Sequence, residues 1–303
     1  MTISFVILAH NDAPTLESLL EVLSPYRVFL HVDKSAVKGG YLDHTGARSM
    51  NHVIINPNSR CLHWGGYSIV QAMMETLSIA ISEGSFQTDH IAFLSGQCFP
   101  LRPIREFEAY LATSANPVHC RAFDLAASRP PLLGMTRVSR RHWLDGPIGH
   151  IRWTAPRMLG GGMRRAAMAA SAPFSVKLPN IVHACGSQWV AVPRALAIEL
   201  VAHYLAGGFD YLKNSYAADE MAIPSYIYNS DWAGLTQAGE LEELGGTTVA
   251  PYANYHWLRD DLQGLVNRSE ALAGIQSKRY FIRKVSESTT GGVMDLLRVA
   301  SRA

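Results

Sequence analysis

Apolar runs too short for helices alternate with longer stretches in which apolar residues return every three or four positions. ISFVILAH (3–10) is apolar almost throughout, the pattern of a strand buried on both faces. After it, Asn11 or Asp12 offers a cap to a helix that starts near Pro14 and places Leu16, Leu19, Leu20 and Leu23 on one face. VFLHVD (28–33) and HVIIN (52–56) read as the second and third strands, and IVQAMMETLSIAI (69–81) as a helix. HIAFLS (90–95) supplies a fourth strand and REFEAYLA (105–112) the helix after it. This order predicts an α/β chain with an open, mostly parallel central sheet flanked by helices, its nucleotide-binding half at residues 1–115.

Ligands of such sheets lie beyond the carboxyl ends of the strands. Each predicted strand exits into polar groups: His10-Asn11-Asp12, His31-Val32-Asp33-Lys34 and Ser95-Gly96-Gln97. Small residues at the last exit let backbone and ligand approach closely, against the plainer reading of a turn before Pro100.

Composition removes several function classes. A net charge of +2 with no basic block gives no electrostatic footprint for nucleic acid. Cys61, Cys98, Cys120 and Cys185 lack C-x-x-C spacing, so they read as free thiols rather than a zinc site or a disulfide framework. The run Ile3–Ala9 is too short for a signal or a membrane span, which sets the expectation of a cytosolic protein. No G-x-G-x-x-G follows the first strand and no P-loop pattern occurs; Gly65-Gly66 after Trp64 opens a helix and offers only a weak anion site.

The segments ILAHNDAPTLESLLEVL (7–23), VFLHVDKS (28–35), WGGYSIVQAMMETLSIAI (64–81) and DHIAFLSGQCFPLRP (89–103) stand in the order and spacing of glycosyltransferase family 14. That family holds the core-2/I-branching β-1,6-N-acetylglucosaminyltransferases and the protein O-xylosyltransferases. GSQWVAVPRA (186–195), ADEMAIPSYIYNS (218–230) and KRYFIRKV (278–285) extend the resemblance over most of residues 3–285, leaving 121–180 without recognisable motifs. The chain resembles a bacterial member. The resemblance implies a GT-A-like fold, a UDP-sugar donor, and inverting transfer without a metal or other cofactor.

Inverting transfer to an alcohol needs a carboxylate to take the proton and a cation to meet the leaving diphosphate. No D-x-D occurs, while Lys278, Arg279, Arg283 and Lys284 cluster near the C-terminus. The family's Arg-Lys-Phe-Asp run implies that Lys284 binds phosphate beside Arg283, although Val285-Ser286 replaces Phe-Asp; Arg259 is the candidate for a second basic position. The family's Asp-Glu motif implies Glu220 as base. Asp219 is placed beside it at the substrate and as cap of the helix that follows. For uridine and ribose the expected contacts are Ala9, His10, Asn11 and Asp33, with Trp64 as an aromatic wall or a core residue. Ser95, Gln97, Ser187, Gln188 and Trp189 are expected at the sugar or acceptor. Cys98 stands where relatives carry Asp, either as a changed recognition position or as a core thiol.

Between Asp145 and Glu199 acidic residues are absent, while Arg152, Arg157, Arg164, Arg165 and Lys177 fall among Trp153, Met158, Leu159, Met163 and Phe174. A lid, a packed excursion and a peripheral contact with the inner face of an anionic membrane are the competing readings of 146–180. The expected organisation is one catalytic domain over 1–285, with the acceptor and catalytic half at 116–285. Residues 286–303 then form a linker and a short tail helix that frays or joins neighbouring chains. The expected function is transfer of GlcNAc or xylose, the family's sugars, to a hydroxyl of a glycan or lipid-linked glycan in surface polysaccharide synthesis. The alternative is a glycan- or nucleotide-sugar-binding module on the same fold that has lost turnover.

Overall fold

The computed structural model describes residues 2–83, 88–128, 134–145, 176–243, 253–262, 264–288 and 292–302. Residues 146–175, most of the expected lid or membrane patch, lie outside the described residues, as do 289–291 of the expected linker.

The first sheet follows the apolar runs. β1 (Ile3–Ala9), β2 (Arg27–Val32), β3 (Val53–Ile55) and β4 (His90–Ser95) are parallel, and β8 (Ala191–Pro193) closes the edge antiparallel to β4, in the order β3-β2-β1-β4-β8. Every residue of β1 and β4 is buried, as the absence of alternation requires. Asp12 caps α1 (Ala13–Val22) by accepting the Thr15 N–H, and Leu16, Leu19, Leu20 and Leu23 are buried. The helical period at 69–81 belongs to the longer α3 (Tyr67–Ser82), which packs on β1 and β2.

Ser95-Gly96-Gln97 carries the chain from β4 into a second sheet. The Gly96 N–H bonds to the Leu8 carbonyl at 2.9 Å, and a Cβ at Gly96 would lie 2.9 Å from the Ala9 Cβ. Only glycine lets the two strand exits come this close. β5 (Cys98–Pro100) then pairs antiparallel with β10 (Phe281–Arg283), which pairs parallel with β9 (His256–Leu258). The C-terminal basic segment is thereby laid against the Ser-Gly-Gln turn.

α4 (Ile104–Thr113) follows β5, and β6 (Ala122–Asp124) pairs antiparallel with β7 (Ala184–Gly186). The remaining helices are α2 (Lys34–Lys38), α5 (Thr136–Ser139), α6 (Arg194–Leu205), α7 (Ala222–Ile227), α8 (Arg268–Gln276) and α9 (Val293–Ala300). The tail helix α9 neither frays nor projects: Val293, Met294 and Leu297 are buried in a small core with Phe99, Leu101, Ile282 and Val285. Arg298 ties it down through Glu287 and Ser18. Among the described residues no helix is long and apolar enough to cross a membrane.

Candidate active site

The Ser-Gly-Gln turn is a junction of charges. Arg283, from β10, donates from Nε to Ser95 Oγ at 3.1 Å and lies 5.3 Å over the Trp189 ring. Below it, Cys98 is fully buried; its sulfur accepts the Ser95 N–H at 3.3 Å and lies 3.3 Å from His256 Nε2. Burial pushes the Cys98 thiol up and holds His256 well below its usual value, so both are neutral beneath the guanidinium. Burial also lowers the pKa of Arg283, opposed by Cys98, Asp219 and Glu220, yet among the described residues no carboxylate forms an ion pair with it. Gln97 braces the junction, donating from its side chain to the Val285 carbonyl at 3.4 Å.

The carboxylate pair comes from a single turn of 3-10 helix at Ala218–Glu220. Ala217 enters it with a positive φ of 55° and donates its N–H to the Gly65 carbonyl at 2.8 Å. On the other side the Tyr216 N–H bonds to the Arg137 carbonyl at 2.8 Å. Arg137, 5% exposed, donates from Nη2 to Glu220 Oε2 at 2.7 Å and sets Nη1 against the Cys185 sulfur. Asp219 is 4% exposed and its Oδ1 has no hydrogen-bond partner. Burial first, and the neighbouring Glu220 second, push Asp219 up to about 7, against the pull of Arg137 and Arg283. It does not cap α7, whose start has no side-chain cap bond.

Two cavities open beyond the strand exits. One, of about 410 Å³, is lined by Asn11, Asp12, Gln97, Leu265, Lys284, Ser286 and Ser288. Lys284 enters it with its ammonium pulled down by burial and by Arg283. His10, the exposed residue after β1, is lowered by the surrounding protein and by Lys284 and Arg283. The other, of about 340 Å³, lies past β2 among Lys34, Ser59, Arg60, Cys61, His63, Ser68, Gln71 and Asp145.

Residues 3–125 match the core-2/I-branching enzyme family. The members of that family are glycosyltransferases. The matched stretch holds β1 to β5 and the Ser-Gly-Gln turn; Arg137, the Asp219-Glu220 turn and Arg283 lie beyond it. No curated protein matches the chain.

The expected site residues divide in the structure. Ser95, Cys98, Trp189, Asp219, Glu220 and Arg283 converge on one junction, with Gln97, Asn11 and Lys284 at the adjoining cavity and His10 within electrostatic reach of Lys284 and Arg283. Trp189 is buried with its ring toward Arg283 and His256, and Ser187 accepts the Trp189 N–H. Gln188 Oε1 is buried with no partner. Ala9 is buried beneath the Gly96 contact. Asp33 spends its carboxylate on the chain, accepting from Ser35, Ala36 and the Leu62 N–H at 2.6 Å. These bonds outweigh burial and lower its pKa. Trp64 is no core residue: it is 41% exposed and packs edge-on against Tyr216.

Arg259 is held in ion pairs with Asp261 at 3.2 Å and Glu270 at 2.6 Å. Arg279 donates to the carbonyls of Ala253 and Asn254, so of the basic cluster Arg283 and Lys284 reach the junction. The anion at the Gly65-Gly66 helix start belongs to the chain: Asp145 accepts from the Tyr67 N–H, the Ser68 N–H and the Ser68 hydroxyl. Arg137, Cys185 and His256 were not legible as site residues, because none of them lies within a recognised motif.

Proposed function

We propose that the chain is an inverting, metal-independent glycosyltransferase of GT-A-like fold that uses a UDP-sugar. The supporting observation is the placement of Arg283: a sequestered guanidinium without an ion-paired carboxylate among the described residues, between the Ser95 turn and the Asp219-Glu220 pair, with Lys284 in the adjoining cavity. In this reading Arg283 and Lys284 take up the charge that develops on the diphosphate as the glycosidic bond breaks. Glu220, with Oε2 held by Arg137, takes the acceptor proton through Oε1. Asp219, titrating near neutral pH, relieves the repulsion that two adjacent carboxylates would otherwise exert.

Cys98 matters to this electrostatic arrangement. The Asp that relatives carry would stand against Arg283; the neutral thiol leaves the guanidinium available to phosphate. The donor is UDP-GlcNAc or UDP-xylose and the acceptor a bacterial surface glycan or its lipid-linked precursor, with the enzyme in the cytoplasm at the inner membrane face. Calorimetry with UDP and UDP release from the two donors test the proposal. UDP binding and turnover that persist in EDTA are expected. A strict Mn²⁺ or Mg²⁺ requirement would remove the role given to Arg283 and Lys284, and binding without turnover under any donor would leave a nucleotide-sugar-binding module.

A further inference from the structure

We infer that Arg137 is the positioning residue of the base: it fixes Glu220 through one carboxylate oxygen and leaves the other as the single oxygen open to the acceptor. This rests on the reading of Glu220 as base. Arg137 reaches Glu220 from α5, 83 residues upstream, and is itself immobilised. Its carbonyl accepts the Tyr216 N–H, and its guanidinium lies 5.4 Å over the Tyr216 ring. Its other Nη meets Cys185 on β7. Burial pushes the Cys185 thiol up to about 12, so that contact is neutral and Glu220 is the anion that balances the buried cation. The planar guanidinium is held on two sides, with Nη1 against Cys185 and Nη2 on Glu220 Oε2, so the donor that meets the carboxylate oxygen has a fixed position, which an ammonium on a flexible stem at the same place would lack.

The charged and titratable groups facing Glu220 are Arg137 from α5, Asp219 on its own turn, Cys185 from β7 and Arg283 from β10. Of these, Arg137 forms the ion pair with it. Removing the guanidinium therefore frees the side chain and leaves two carboxylates side by side, which favours holding a proton at the pair.

The test compares Arg137→Gln, Arg137→Lys, Glu220→Gln and the Arg137→Gln/Glu220→Gln double variant. The readouts are UDP release from UDP-GlcNAc or UDP-xylose, UDP affinity and thermal unfolding. Arg137→Gln is expected to lose about tenfold or more in kcat with UDP affinity nearly unchanged, and the acid limb of its kcat profile should move to higher pH. Arg137→Lys keeps the charge and the fold; it should restore the acid limb but not the full kcat. The double variant should be no slower than Glu220→Gln alone, because both changes disable one device. An unmoved acid limb in Arg137→Gln, or losses that multiply in the double variant, would overturn the inference while Glu220 remains the base. Should Arg137→Gln not fold, full kcat in Arg137→Lys would overturn it. If Glu220→Gln turns over like the wild type, the base assignment falls and the role of Arg137 falls with it.

Discussion

The Ala217 N–H bonds to the Gly65 carbonyl at 2.8 Å, joining the Trp-Gly-Gly loop to the turn that carries Asp219 and Glu220. The two segments are 152 positions apart (217 − 65). The loop belongs to the stretch that matches the branching enzymes and the turn does not, so this bond transmits the geometry of the sheet to the carboxylates.

Gly66 protects the same connection. A Cβ there would lie 2.2 Å from Asp145 Oδ1, displacing the carboxylate that caps α3. Gly66→Ala is expected to destabilise the fold by roughly 1–2 kcal/mol, the scale of a lost N-cap. In an Asp145→Ala background the same change should cost much less, because the clash is already gone. Urea unfolding of the four proteins measures both.

Cys98→Asp places a carboxylate beside Arg283 and His256 rather than in an apolar void. The variant is expected to fold, with its melting temperature lowered by a few degrees at most, because the buried charge has a partner. UDP should bind roughly tenfold more weakly, since the guanidinium is now neutralised. Calorimetry decides it; unchanged UDP affinity in a folded Cys98→Asp would place Arg283 away from the diphosphate.

Acid should weaken the fold through its buried histidines. Burial holds His31 at about 4 and His119 at about 3, and it lowers His90 and His256 as well. In the unfolded chain each protonates near 6.5, so as pH falls below that value the unfolded state gains protons that the folded state refuses. Stability is complete above pH 6.5 and declines below it, by on the order of 1–2 kcal/mol per strongly shifted histidine at pH 5. Asp219, raised to about 7, acts in the opposite sense, losing its contribution as pH rises through 7, but it is one group against several. His119→Phe should flatten the melting-temperature profile between pH 5 and 6.5; an unchanged slope would contradict the assignment.

What sequence pattern could and could not reveal divides along physical lines. β1, β2, β4, α1 and α3 were legible because a buried strand must be apolar and a helix must repeat its apolar face. The second sheet was not, because β5, β9 and β10 are three residues each and their pairing joins positions far apart in the chain. Glu220, Arg283 and Lys284 carried motif signals, whereas Arg137 sits among other arginines in TRVSRRHW and only tertiary contact distinguishes it. Arg259 was a candidate without a motif match, and the sequence said nothing of Asp261 and Glu270, which occupy its guanidinium.

The proposed transfer depends most on Glu220 as the group that takes the acceptor proton. Steady-state turnover of Glu220→Gln, measured as UDP release from a UDP-sugar beside UDP affinity by calorimetry, tests it most directly. The amide keeps the shape and removes the basicity, so kcat is expected to fall by roughly 10²-fold or more while UDP affinity stays within a small factor of wild type. Turnover close to wild type in the folded variant would contradict the assignment and return the base to another side chain.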